Sequence, residues 1–197
     1  MGPVTGLPGG ADDAELRAAR REVLLLEYEV LKAEQKARIV ARDHLMYATL
    51  AGLVSVLAFV LATSAPPGAV LLLPPVCLIL GWTYLTNDQK ISAVGRYLRD
   101  ELAPRLAELT GGRPGEVLGW ERAHRAVPGQ GAAKVLQLAV DLVMFVAPAV
   151  LAVVLHWTGD GAGPALFLAS VAELVAIAVL AVRVVLAADF ATEGRTP

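Results

Sequence analysis

Charge is missing from most of this 197-residue chain. Residues 45 to 87 contain no Asp, Glu, Lys or Arg, and residues 135 to 182 contain only Asp141, Asp160 and Glu173. Overall, 56% of residues are hydrophobic and 18% are charged. Soluble domains carry about 45–50% and about 25%. Cysteine is nearly absent as well: Cys77 stands alone, which excludes an intrachain disulfide and a cysteine metal cluster. Asn87 is the single asparagine, and 13 Arg against 4 Lys fits a GC-rich bacterial genome. A net charge of −2 gives no basic excess, so no nucleic acid partner is expected. The opening Met1-Gly2-Pro3-Val4 has neither the basic nor the apolar region of a signal peptide.

Catalytic patterns are absent too. There is no P-loop, nucleophile elbow or zinc-protease helix. His44, His124 and His156 are far apart in the chain. No catalytic, metal or cofactor-binding residue is therefore expected, and the chain reads as non-enzymatic.

What is present is long apolar sequence. Four runs, about 45–63, 69–86, 135–156 and 164–186, approach the roughly 20 residues that cross about 30 Å of hydrocarbon. They predict an all-α protein with four transmembrane helices in two hairpins. Six segments follow: a disordered leader at 1–13, a cytoplasmic amphipathic helix at 14–44, a first transmembrane hairpin at 45–86, a cytoplasmic helical connection at 87–134, a second transmembrane hairpin at 135–186 and a cytoplasmic tail at 187–197. Pro74-Pro75 should kink the second span, Pro148 lies inside the third, and Pro164 opens the fourth at the first helical position. The competing arrangement is a soluble core of four buried helices. Two adjacent uncharged stretches of such length count against it.

The cations lie together. Seven of the seventeen Lys and Arg precede the first span and eight fill the connection, whereas the turns at 64–68 and 157–163 hold none. The positive-inside rule then puts the amino end, the connection and the carboxyl end in the cytoplasm, with the bilayer as the first partner.

Leu16, Ala19, Val23, Leu26, Val30, Ala33, Ala37 and Val40 fall at the a and d positions of a heptad repeat. The Leu16–Val40 stripe wants a partner. One candidate is the amphipathic stretch Ile91, Val94, Leu98, Leu102, Leu106, Leu109, bent at Pro104; others are a second copy (a homo-oligomer) or a cytosolic protein. Glu116 to Ala126 reads as a short helix. Arg38, Arg42, Lys90, Arg96 and Arg99 are placed to meet lipid head groups.

Three charges fall inside the predicted hydrocarbon, where each costs about 2.5–3.5 kcal/mol on insertion scales. Glu173, near the midplane, is either an ion or proton site, including a pore-lining carboxylate, or a protonated group bonded to Thr49 or Ser55. Asp141 and Arg183 have similar depths, and a salt bridge between them, joined by Gln137 four residues before Asp141, is the preferred arrangement. The alternative is Arg183 reaching to the lipid surface.

Several stretches carry a resemblance: Glu27-Tyr28-Glu29-Val30-Leu31-Lys32-Ala33-Glu34, Gly81-Trp82 with Asn87-Asp88, Ile91 with Gly95-Arg96-Tyr97-Leu98-Arg99, and Leu118-Gly119-Trp120-Glu121. Across roughly residues 25 to 122 the chain resembles a group of uncharacterised bacterial multi-pass membrane proteins. The resemblance implies that the cytoplasmic helices and the exit of the second span belong to one module. Asn87-Asp88 is expected to cap the helix that contains Ile91. The leading function is a membrane component with a structural or interaction role; the alternative is a small oligomeric channel or pore-forming effector with Glu173 facing the lumen.

Overall fold

A computed structural model describes residues 9–62, 65–112, 117, 130–159 and 163–188. Among these, 94% are helical and none is in a strand: α1 (Gly9–Ala62), a 3-10 turn (Pro67–Leu72), α2 (Leu73–Tyr97), a π turn (Leu98–Leu102), α3 (Ala103–Thr110), α4 (Gln130–Phe145), α5 (Ala147–Thr158) and α6 (Pro164–Ala187). The short helix expected at 116–126 and most of the tail lie outside the described residues.

Four helical stretches, Asp12–Ala62, Gly68–Thr110, Ala132–Thr158 and Pro164–Ala187, are long and apolar enough to cross a membrane. Their apolar windows are only 6%, 39%, 22% and 17% buried inside the protein. A soluble core of buried helices does not look like this, because its apolar faces would be covered. Here Leu50, Val54, Leu57 and Leu61 of α1 and Leu168, Val175, Val182 and Leu186 of α6 point outward. That is the surface a bilayer requires of a multi-pass protein.

Proline positions the breaks. Pro74-Pro75 do not kink a running helix. The 3-10 turn ends at Leu72, and α2 starts at Leu73, so both prolines fall in its first turn. The N–H groups there have no intrahelical acceptor, and proline loses nothing. Before Pro104 the helix widens into the π turn, and Ala103 N–H bonds to Leu98 O. The wider turn absorbs the missing donor and the crowding of the proline ring. Val146 interrupts the third span between α4 and α5, just ahead of Pro148. Pro164 opens α6 as expected. α1 starts at Gly9, earlier than the expected residue 14, with Asp12 in the first turn at the positive end of the helix. Gly111 ends α3 at φ 67°, a left-handed backbone that favours glycine, and Gly112 N–H bonds to Ala107 O at 3.1 Å.

The chain forms two compact units, one from Met1–Ala37 with Ile91–Val127 and one from Arg38–Lys90 with Pro128–Pro197. In the first, Leu98, Leu102 and Leu106 are buried with Leu24, and Tyr28, Leu31, Val94, Tyr97 and Leu109 close around them. The face of α1 used here is Leu24, Tyr28 and Leu31, which are b and f positions of the heptad. The a/d stripe is not the one that meets the 91–109 stretch: Leu16, Val23, Leu26 and Val30 are 69%, 64%, 61% and 59% exposed. In the second unit, Tyr84, Leu85, Phe145, Leu180 and Val184 form one cluster, and Cys77, Ala149 and Ile177 another. Gly81 is the tightest of the described glycines: an added Cβ would lie 2.9 Å from Leu180 Cδ2 and 3.0 Å from Phe145 Cβ.

Candidate functional site

Two polar groups are built into the apolar unit. The first joins α2 to α4. Gln137 and Asp141 are one turn apart on α4, and Asp141 shares the inward face with Phe145. Gln137 Nε2 donates to Asp141 Oδ1 at 2.8 Å and to Tyr84 Oη at 2.9 Å. Tyr84 is 3% exposed, its hydroxyl also faces Asp141, and its ring lies 5.0 Å from Phe145. Arg42 and Asp88 pair with one another nearby, Nη1 to Oδ1 at 3.4 Å.

Arg183 takes no part in this group. It is exposed and lies over the Trp82 ring, 6.0 Å from guanidinium carbon to centroid. The expected Asp141–Arg183 salt bridge is therefore not made. Depth along the helix allows it, but azimuth does not. Ser170, Ile177, Leu180 and Val184 form the buried face of α6, and Arg183 points about 100° away from Val184. Stacking on Trp82 supplies a cation–π partner and leaves the guanidinium free to reach toward water.

The second group lies between α5 and α6. Glu173 belongs to the buried face of α6, between Ser170 and Ile177. Its Oε2 is buried and has no hydrogen-bond partner. Neither expected donor serves it: Thr49 Oγ1 donates to Leu45 O at 2.8 Å, and Ser55 Oγ to Ala51 O at 2.7 Å. On α5, His156 is 4% exposed. Nearby, Trp157 Nε1 donates to Ser170 Oγ at 2.8 Å. Among the described residues no three His, Cys, Asp or Glu side chains converge as a metal site would need.

Asn87 and Asp88 do not cap a helix. They lie in mid-α2, which runs unbroken to Tyr97. Their side chains reach across to α1 instead: Asn87 Nδ2 donates to Arg38 O at 2.7 Å, and Asp88 takes Arg42. Local sequence carries no sign that Tyr84 and His156 are buried, at 3% and 4% exposure. Comparison with known protein families, curated proteins and solved structures found no match for this chain.

Proposed function

We propose that this protein is a non-enzymatic interaction component of a cell membrane, with its amino end, central connection and carboxyl end in the cytoplasm. Four spans anchor it, and the part of α1 that precedes the first span displays a binding face. One observation carries the reading. α1 has two apolar faces; Leu24, Tyr28 and Leu31 are used within the chain, while Leu16, Val23, Leu26 and Val30 are more than half exposed. An apolar stripe of this length in water is the usual mark of a partner surface. The clustering of cations in the amino-terminal segment and the connection supports the orientation.

Single-cysteine labelling in a Cys77→Ser background tests the topology. Cysteine at Glu22 should react only from the cytoplasmic side, and cysteine at Gly163 only from the other. The reverse pattern would defeat the orientation. Val23→Asp with Val30→Asp tests the role: partner binding should be lost while membrane insertion and helicity stay intact.

A second reading, a small oligomeric channel, draws on the buried, unbonded Oε2 of Glu173. An unsatisfied carboxyl in an apolar setting is costly and is often kept for an ion or proton path. Ion flux in liposomes that disappears in Glu173→Ala, with assembly unchanged, would favour it. Absence of flux in the wild type would remove it.

A further inference from the structure

The interaction reading leaves open what the stripe binds, and the charges beside it narrow the choice. With Leu16, Val23 and Val30 at a and Ala19, Leu26 and Ala33 at d, the g positions are Glu15, Glu22, Glu29 and Lys36. The e positions are Arg20, Glu27 and Glu34. Five acids and two bases therefore border the seam, and the stretch from Glu22 to Glu34 is bordered by acids alone. Glu27 is held at this border by Tyr97, whose hydroxyl donates to Oε1 at 2.6 Å.

A second copy fits this border poorly. α1 continues without a break from the stripe into its own membrane-crossing segment. Copies side by side in one bilayer thus present their stripes in parallel. A parallel two-stranded coil sets each g residue against the following e residue of its neighbour. Glu22 would face the second copy's Glu27, and Glu29 its Glu34. Only Glu15 would meet an opposite charge, at Arg20. Like charges at these positions disfavour pairing, which is how coiled coils reject wrong partners.

We propose that the α1 stripe docks an amphipathic helix of a different protein, one with Leu- or Val-type residues at a and d and Lys or Arg opposite Glu22, Glu27, Glu29 and Glu34. The inference rests on the interaction reading and adds the chemistry of the partner. Attraction at the four borders steers and orients the partner helix, and the apolar seam supplies the contact area.

The full chain in nanodiscs, with two synthetic helical peptides, tests it. Both peptides carry four heptads with Val at a and Leu at d. One has Lys at every e and g, the other Glu. The Lys peptide should bind about tenfold more tightly than the Glu peptide, because it is attracted at five border acids and repelled only at Arg20 and Lys36, whereas the Glu peptide meets the reverse. The preference should shrink as salt is raised. Glu22→Lys with Glu29→Lys should reduce or reverse the preference without loss of helicity, since both side chains are exposed. Equal binding of the two peptides, or wild-type self-association that is lost in Val23→Asp, would overturn the charge assignment and leave the interaction reading standing. If neither peptide binds and the chain stays monomeric, both fall.

Discussion

Gln137 bridges Tyr84 and Asp141 with the two protons of one amide group, at 2.9 Å and 2.8 Å. It thereby fastens α2 to α4 where the chain is otherwise apolar. Side-chain hydrogen bonds between membrane helices average about 0.6 kcal/mol and reach about 1.7. Gln137→Leu should therefore lower stability by about 1 kcal/mol in detergent unfolding. A double-mutant cycle with Tyr84→Phe should give a coupling of similar size. Additive effects of the two changes would show that the amide does not act as a bridge.

Arg183 and Asp141 should behave as independent residues. Their partners are different, Trp82 for one and Gln137 with Tyr84 for the other. A cycle of Asp141→Asn and Arg183→Gln should be additive within about 0.5 kcal/mol. A coupling above about 1 kcal/mol would mean that the two do meet.

The close approach at Gly81 leaves little room for a side chain. Gly81→Ala must displace Phe145 Cβ, which is tied to its backbone, as well as the mobile end of Leu180. A cost of about 1–3 kcal/mol follows for overpacking, and more for Gly81→Val. Thermal unfolding of the three proteins in one detergent should rank them wild type, Ala, Val.

The two faces of α1 should respond differently to truncation. Leu102 is fully buried in the cluster that includes Leu24, and Leu102→Ala should cost about 2–5 kcal/mol. Leu26 is 61% exposed, and Leu26→Ala should change the stability of the isolated chain by no more than about 0.5 kcal/mol. Partner binding should show the opposite sensitivity. Equal destabilisation by the two changes would refute the division of α1 into a used and an unused face.

Tyr97 gives the chain an alkaline dependence. Its hydrogen bond to the Glu27 carboxylate, aided by slight burial, holds the phenol above its ordinary value of 10.0. Its folded-state value is therefore higher than its unfolded one. The contribution to stability is fully present below the unfolded value and is lost as pH rises through the folded one. Tyr97→Phe should abolish this component, so that the wild-type advantage seen near neutrality narrows above about pH 10. A gap that stays constant to pH 11.5 would rule out the Glu27 bond as its source.

Much of the architecture follows from composition alone. Lipid offers no hydrogen bonds, so a spanning segment must be helical, long and nearly free of charge, and 45–63 or 164–186 cannot easily be anything else. The apolar steps from Ile91 to Leu109 announce a helix face in the same way, and that face is buried where expected. Rotation about each helix axis is a different matter. Periodicity shows that α1 has a heptad stripe, yet Leu24, Tyr28 and Leu31 make the contact, because aromatic and large side chains at b and f fill the space beside Leu98 and Leu102. The 1.5 Å rise per residue brings Asp141 and Arg183 to similar depth, whereas only packing of Ile177, Leu180 and Val184 turns Arg183 toward Trp82. Local sequence specifies what a helix is made of and how far it reaches. Which neighbour each face meets depends on how several helices fill one volume together, and no single segment carries that information.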